Sequence, residues 1–271
     1  MHTGSAIAIL GTTVACLVPF ASQHHHELGL SRPLLSKAIL SQMFFVYRAP
    51  DFELVSHPRS VIGHMFTHAG SQHLVGNLFS LISSGFTVDV GFWRTLILIY
   101  GGGIAGVAAH ILEQVLSRRP SYATSKHLEM VTKALSDLGI VQTDSASWLW
   151  NAISSRNRRQ TTFVLCGLSS GVFALIGAEV YKTCIELRCA YFELRDSKQG
   201  TWWYHKCRKQ LLIVFYDLCL RSFALIPQIL AVVSPRPSYP LTEIITDGTA
   251  YSAHLGGFLF GFCCMKICGW R

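Results

Sequence analysis

The sequence predicts an all-α membrane protein, built as a bundle of about six transmembrane helices. Half of its 271 residues are hydrophobic, only 14% are charged, and the mean hydropathy is +0.36. The apolar residues cluster into runs of about 18 residues or more, close to the ~20 residues that a helix needs to cross a bilayer. In a typical soluble domain about a quarter of the residues are charged. We therefore expect a single membrane domain over residues 1–271.

Six apolar runs mark the predicted transmembrane helices. The first, residues 5–21, could instead be a cleaved signal peptide, but residues 1–4 lack the positive charge typical of such signals, so we interpret it as a span. The other predicted spans are about 61–88, 95–112, 161–181, 211–233 and 249–268. The extramembrane loops are then 22–60, 113–160 and 182–210.

Two loop segments have patterns of their own. Residues 38–47 form an apolar patch that is too short to cross a bilayer, so we expect it to lie at the membrane interface. In the insert 113–160, apolar residues recur at helical spacing and a glycine follows, which predicts a short amphipathic helix outside the bilayer. These residues are Leu128, Val131, Leu135, Leu138 and Gly139.

Some residues inside the spans predict helix contacts. Asp217 and Arg221 lie four residues apart in the fifth span, which places them on one helix face. We interpret them as a structural ion pair, with an ion path as the alternative. In the third span, Gly101–Gly103 and Gly106 indicate close packing against a neighbouring helix.

The distribution of charge predicts the orientation of the chain. The formal net charge is +8 at pH 7, and by the positive-inside rule the basic loop 182–210 faces the cytosol or an equivalent compartment. The N-terminus then lies on the same side, and the long loops 22–60 and 113–160 on the other, although the insert 113–160 is basic as well. Because no basic stripe interleaves with stacking aromatic residues, we do not expect nucleic acid as a partner.

Cysteine and histidine patterns do not indicate a metal or a cofactor. The nine cysteines lie mostly in or beside apolar runs, and none belongs to a CxxC pair. The HExxH and GxGD signatures of membrane metalloproteases and aspartyl proteases do not occur. We interpret the run His24–His26 as solvated loop residues, with metal binding as the alternative. We therefore expect no metal and no cofactor.

A serine and a histidine lie inside two different spans. Ser169 belongs to the fourth span and His254 to the sixth, and both lie near the N-terminal ends of spans that run in the same direction. A lone serine in a membrane helix often bonds only to the preceding turn, whereas a buried histidine needs a partner. Small residues would let the hydroxyl and the imidazole approach to hydrogen-bond distance, ~2.6–3.2 Å. They are Gly167, Gly171, Ala174 and Ala178 on the fourth span, and Gly257 and Gly261 on the sixth.

The second span holds two further polar residues, His73 and Asn77. They lie four residues apart and therefore on one helix face. Acyl transfer requires hydrogen-bond donors close to the developing oxyanion, and a histidine N–H and an asparagine amide can both donate. With Ser169 and His254 they form a candidate site for a serine hydrolase.

Three separated motifs together resemble the rhomboid family of intramembrane serine proteases. They are HAGxxHLxxN at His68–Asn77, GxSx at Gly167–Ser170 and AHxxGxxxG at Ala253–Gly261, on the second, fourth and sixth predicted spans. The resemblance covers about residues 59–261 and implies a rhomboid-like bundle of six transmembrane helices.

By this resemblance the candidate residues have defined roles. Ser169 is expected to be the nucleophile and His254 its general base, a dyad without a carboxylate. His73, Asn77 and the backbone N–H of Ser169 are expected to bind the oxyanion. In the family an aromatic residue four positions after the nucleophile, here Phe173, packs against the catalytic histidine.

The chain departs from the family pattern at three places. The residue after the nucleophile is Ser170, where the family usually has glycine. A Pro-Arg pair at 58–59 stands near the position of the family's Trp-Arg pair in the first loop, and Asp89 replaces the more usual glutamate. The spacing to Phe173 selects Ser169 as the nucleophile.

The resemblance implies a serine endopeptidase that cleaves the transmembrane segments of single-pass membrane proteins in the lipid bilayer. The alternative is a catalytically silent rhomboid-like protein that binds membrane clients, but such proteins generally lack the serine or the histidine. A transporter is less favoured, because no pair of Gly/Pro-broken spans occurs in matching halves. The secretory pathway or the plasma membrane is slightly favoured over the mitochondrial inner membrane.

Overall fold

The computed structural model describes residues 3–49, 53–54, 57–117, 161–223, 225–233 and 250–270. The amphipathic helix expected around residues 128–138 lies outside these ranges. The described helices are α1 (Thr3–Gln23), α2 (Lys37–Met43), α3 (Ser60–Gly63), α4 (Ser71–Val88), α5 (Phe92–Ser117), α6 (Ser169–Asp196), α7 (Trp202–Phe223), α8 (Ile226–Val233) and α9 (Tyr251–Cys268). The strands β1 (Phe45–Ala49), β2 (Glu53–Leu54) and β3 (Thr161–Leu165) form an antiparallel sheet in the order β2-β1-β3.

Helix α6 packs against α9, and the two helices run in the same direction. A Cβ on Gly257 would collide with the carbonyl of Ser170, and a Cβ on Gly261 would collide with the carbonyl of Ala174. These contacts are one helical turn apart and follow the same order on both helices, so α6 and α9 are parallel. The small-residue faces of the two helices therefore meet, as the sequence predicted.

Helix α5 packs against the same part of α6 in the opposite direction. Gly106 lies against Ser170 and Gly102 against Ala174, so the order of the contacts is reversed. The prediction that this glycine cluster marks a close helix contact is confirmed. A larger side chain at either glycine would force the two backbones apart.

The predicted second span, 61–88, is not one continuous helix. Its N-terminal part forms α3 and a 3-10 turn, the backbone is extended at Gly70, and α4 begins only at Ser71. The hydroxyl of Thr67 donates to the carbonyl of His64 at 2.9 Å, so a side chain closes the C-terminal end of the 3-10 turn. Hydropathy does not reveal this break, because apolar residues lie on both sides of it.

The predicted fourth span, 161–181, begins as a strand. Residues Thr161–Leu165 pair along their whole length with β1, and the helix starts at Ser169. Threonine, phenylalanine and valine dominate this segment and favour an extended backbone. Similarly, the apolar patch 38–47, expected at the interface, is divided between α2 and β1.

The segment 182–210, expected to be a loop, is mostly helical. Helix α6 continues to Asp196, and α7 begins at Trp202. Because α6 has 28 residues, it is about 42 Å long at ~1.5 Å per residue and exceeds the ~30 Å hydrocarbon core. Good helix formers continue past the apolar run, and a turn that contains Gly200 at φ +82° separates the two helices.

The predicted fifth span, 211–233, is divided as well. Helix α7 ends at Phe223, and α8 begins at Ile226. Pro227 has no N–H to donate to the preceding turn, so it is tolerated at the start of a helix and disrupts the interior of one. The apolar composition runs across this break, which is why composition predicts a single span.

Two of the described helices are by themselves long and apolar enough to cross a membrane: α1, and α5 over Phe92–Glu113. Helices α4 and α9 carry polar residues within their apolar stretches, among them Asn77 and His254, and both of these side chains are buried against other helices. The described part of the chain is mainly helical, as predicted, and the small sheet is an addition to the bundle.

Candidate functional site

The turn between β3 and α6 positions Ser169. This turn contains Gly167 at φ +104°, a conformation that residues with side chains rarely adopt. Ser169 is the first residue of α6, whereas the predicted span 161–181 placed it about eight residues inside a helix. Because the first N–H groups of a helix have no acceptor within it, the Ser169 hydroxyl lies beside backbone donors that can serve a ligand.

His254 on α9 contacts Ser169 directly. Its Nε2 lies 2.8 Å from the Oγ of Ser169, within hydrogen-bond distance. His254 is only 8% exposed, and its ring stacks on the ring of Phe173, with centroids 4.5 Å apart and planes inclined by 7°. The structure thus brings together the serine and the histidine that the sequence singled out, with the aromatic residue that the resemblance placed beside the histidine.

The second ring nitrogen of His254 faces Gln228 on α8. The Nδ1 atom lies 2.8 Å from the Oε1 of Gln228. An amide oxygen can only accept, so the tautomer of His254 that is protonated on Nδ1 matches this contact, and this tautomer leaves Nε2 able to accept a hydrogen bond from Ser169. The sequence reasoning missed Gln228. Its signal was a single amide side chain within the otherwise apolar segment Ile226–Val233, since a polar group in a membrane helix needs a partner.

Ser170 faces a different helix. It is buried, with 4% of its surface exposed, and a Cβ added at Gly106 of α5 would lie 3.0 Å from its Oγ. The structure therefore brings Ser169 to His254, while the neighbouring serine packs against α5.

His73 and Asn77 lie one turn apart on α4, beside Gly167. A Cβ added at Gly167 would lie 2.9 Å from the Nε2 of His73 and 3.5 Å from the Nδ2 of Asn77. Asn77 is buried, and its Nδ2 makes no hydrogen bond within the described part of the chain. A buried donor without an acceptor is costly, and this one is available to an oxygen atom of a ligand bound near Ser169.

The turn before α4 holds Gly167 and His73 in position. The N–H of Gly167 donates to the carbonyl of His64 at 2.8 Å, and the hydroxyl of Thr67 donates to the same carbonyl. His68 is buried and packs edge-on against the ring of His73, with centroids 5.3 Å apart. The break in the predicted second span therefore holds Gly167 opposite His73.

A separate polar cluster joins three helices farther along the bundle. Arg221 of α7 pairs with Glu179 of α6 at 2.6 Å and with Asp217 at 2.7 Å. Ser84 of α4 donates to Glu179 at 3.1 Å. The expected pair within α7 is present, but the sequence reasoning missed Glu179, the buried carboxylate that connects this pair to the bundle. The sequence feature that could have indicated Glu179 is that it is an isolated acidic residue among apolar residues.

The side chains at this site can support nucleophilic catalysis. A hydroxyl in contact with an imidazole can lose its proton as it attacks a carbonyl carbon, and nearby N–H donors can stabilise the resulting oxyanion. Within the described ranges, no three side chains of His, Cys, Asp or Glu lie together in a way that could hold a metal ion.

Comparison with known proteins identifies a family. A family model described as the Rhomboid domain matches residues 55–271. The matched region includes α4, α6, α8 and α9, and thus every residue described at the site, whereas α1, α2, β1 and β2 precede it. The search of the curated proteins and the search of the solved structures gave no match.

Proposed function

The chain belongs to the rhomboid family and is an integral membrane protein, and from this premise we propose that it is an intramembrane serine endopeptidase with Ser169 as nucleophile and His254 as general base. The 2.8 Å contact between the Oγ of Ser169 and the Nε2 of His254 is the observation that carries the proposal. A hydroxyl becomes an effective nucleophile when a base accepts its proton during the attack.

In the proposed reaction the Oγ of Ser169 attacks the carbonyl carbon of the scissile peptide bond while its proton moves to the Nε2 of His254. The tetrahedral intermediate then expels the amine, which takes the proton from His254, and an acyl-enzyme remains on Ser169. A water molecule attacks the acyl carbon and gives a proton to His254. When the second intermediate collapses, this proton returns to Ser169 and the acid product leaves.

The donors around Gly167 fit the stabilisation of the intermediate. The Nδ2 of Asn77, the ring of His73 and the backbone N–H of Ser169 are the proposed oxyanion-binding groups. The N-terminal end of α6 also carries a partial positive charge from the helix dipole, which favours a negative charge there. The unpaired state of the Asn77 amide within the described residues supports this assignment.

Rhomboid proteins act on transmembrane substrates in the lipid bilayer. We infer six spans for this chain, formed by α1, α4, α5, α6, α7 with α8, and α9. The substrates are proposed to be single-pass proteins that are cut near the extracytosolic end of their transmembrane segment. A bound helix must unwind locally before it is cut, so helix-weakening residues should favour cleavage. We place the enzyme in the secretory pathway or the plasma membrane in preference to the mitochondrial inner membrane.

Labelling with a fluorophosphonate probe in detergent tests this function, because such probes react with activated serines. Wild-type protein and the Ser170→Ala variant should be labelled and should cleave a transmembrane substrate, whereas Ser169→Ala and His254→Ala should do neither and should remain folded. The double variant should resemble either single variant, since the two residues act as a unit.

The control at Ser170 makes the assignment specific. If Ser170→Ala were inactive and Ser169→Ala active, the assigned nucleophile would be wrong. A folded wild-type protein that is not labelled and binds membrane clients without cutting them would be the silent rhomboid-like protein instead.

A further inference from the structure

Three side chains from three helices form a continuous hydrogen-bonded chain at the site. The Oε1 of Gln228 on α8 lies 2.8 Å from the Nδ1 of His254 on α9, and the Nε2 of His254 lies 2.8 Å from the Oγ of Ser169 on α6. Each nitrogen of the imidazole therefore lies within hydrogen-bond distance of a polar side chain. The dyad is thus connected to a third side chain.

The protonation of the two ring nitrogens decides whether an imidazole can act as a base. A neutral histidine carries one proton, on either Nδ1 or Nε2, and the partner of one nitrogen sets the state of the other. Only the form with the proton on Nδ1 leaves Nε2 able to accept the proton of Ser169. An acceptor fixed at Nδ1 therefore selects the reactive form and holds the plane of the ring.

We propose that Gln228 is a positioning residue, whose amide oxygen accepts a hydrogen bond from the Nδ1–H of His254 and so keeps Nε2 directed at Ser169. This inference rests on the proposed function of the dyad. In a triad a carboxylate orients the histidine in this way. Here a neutral amide does so, which avoids placing an unpaired negative charge inside a membrane protein.

The surroundings of Gln228 support a specific role for it. It is half-buried, while its neighbours Ile229 and Leu230 on the same short helix are exposed, at 46% and 51%. Helix α8 packs against α9, which carries His254. An amide oxygen that turned away from His254 would give up this hydrogen bond, at a cost in free energy.

Two substitutions at Gln228 separate the hydrogen bond from packing. Gln228→Met keeps the length of the side chain and removes the acceptor, whereas Gln228→Glu keeps an acceptor oxygen and changes the charge. We expect Gln228→Met to lower kcat about 10- to 100-fold, the size expected when a buried N–H loses its acceptor, with KM little changed. Gln228→Glu should restore kcat above the level of Gln228→Met. Ile229→Met is the matched control and should behave as wild type.

The same preparations are tested for folding and for reaction of Ser169 with a fluorophosphonate. The labelling rate of Gln228→Met should fall in parallel with kcat while its melting temperature stays near that of Ile229→Met. In a His254→Ala background, Gln228→Met should cause no further loss, because its effect passes through the histidine.

Three results would overturn the inference and leave the proposed function intact: a normal kcat in Gln228→Met, a loss confined to KM, or a Glu variant less active than the Met variant. The last pattern would show that an acceptor oxygen at position 228 does not assist His254. If wild-type protein is itself not labelled at Ser169, the proposed function fails, and the role of Gln228 fails with it.

Discussion

The side-chain amide of Asn77 is a buried hydrogen-bond donor inside the bundle. It is buried beside Gly167, and its Nδ2 has no acceptor within the described residues. Leaving a buried donor unpaired costs about 1–3 kcal/mol. An oxyanion formed at Ser169 would supply the missing acceptor, so the amide would stabilise the transition state more than the bound substrate.

We therefore expect Asn77→Ala to lower kcat about 10- to 1,000-fold, the range typical for the loss of one oxyanion donor, with a smaller effect on KM. Steady-state kinetics on a transmembrane substrate in detergent measure both quantities. Ser83→Ala, on the exposed side of the same helix, is the control and should leave both unchanged. An unaltered kcat in Asn77→Ala would remove this residue from the site.

At the scale of the elements, glycines decide how close α9 lies to α6. Gly257 and Gly261 place the backbone of α9 against the carbonyls of Ser170 and Ala174. Since α9 also carries His254, the spacing of these two helices sets the distance between the imidazole and the hydroxyl. Stability and activity should therefore respond together to a change at this contact.

The substitution Gly261→Ala adds a methyl group where a carbonyl already lies. We expect it to lower the free energy of unfolding by about 1–3 kcal/mol, as overpacking does, and to lower activity as well. Gly11→Ala is the matched control, because a Cβ there meets no atom within 4 Å; alanine should be neutral or stabilising by up to about 1 kcal/mol. Thermal unfolding in detergent gives the comparison, and equal stability of the two variants would contradict close packing at Gly261.

The polar cluster around Arg221 connects α7 to the rest of the bundle. Its two carboxylates differ in burial: the side chain of Glu179 is 5% exposed and that of Asp217 is 43% exposed. An exposed ion pair contributes little, typically below ~1 kcal/mol. The buried carboxylate of Glu179 should contribute more. Its removal takes away the ion pair of Arg221 and the hydrogen-bond acceptor of Ser84 inside the protein.

The matched pair Glu179→Gln and Asp217→Asn tests this difference. Both substitutions replace a carboxylate by an amide of the same shape. We expect Glu179→Gln to lower the free energy of unfolding by about 1.5–3 kcal/mol, the range for hydrogen bonds to charged groups, and Asp217→Asn by less than ~1 kcal/mol. Unfolding in detergent provides the measurement. A larger effect at Asp217 would show that the pair within α7 dominates.

For the whole molecule, the direction of the parallel helices determines where the site lies in the membrane. Ser169 and His254 lie near the N-terminal ends of α6 and α9, and His73 lies near that of α4. The segment 182–210 lies toward the opposite ends. If the basic segment faces the cytosol or an equivalent compartment, the site opens on the other side, and cleavage releases the extracytosolic part of a client.

Labelling of single cysteines tests this orientation. In a background without the nine native cysteines, Ser125→Cys lies in the insert 113–160 and Ser197→Cys follows α6. With an impermeant thiol reagent on sealed cells, the residue at 125 should react from outside and that at 197 only after permeabilisation. The reverse pattern would invert the topology and the identity of the released fragment, while the Ser169–His254 pair would stand unaffected.

The candidate residues could be selected from the sequence because polar groups are rare inside apolar runs and costly there. His254, His73 and Asn77 stand out for this reason, whereas Ser169 was selected by its depth close to that of His254 and by its motif. Three motifs in a fixed order suffice to identify the family that the Rhomboid domain match establishes. The same reasoning applied to Gln228 or Glu179 would have marked each as a polar residue that needs a partner. It could not have named that partner.

The sequence by itself determined the membrane class of the protein, the family, and the order of the motifs along the chain, because each depends on residue types and their spacing. Only the tertiary structure decided that α4 begins at Ser71, that Thr161–Leu165 pairs as a strand with β1, and that Gln228 contacts His254. Hydropathy averages over about 20 residues and does not register a break of a few residues. Strand pairing and hydrogen bonds, in contrast, join residues that are distant in the chain, and their geometry exists only after the helices have packed.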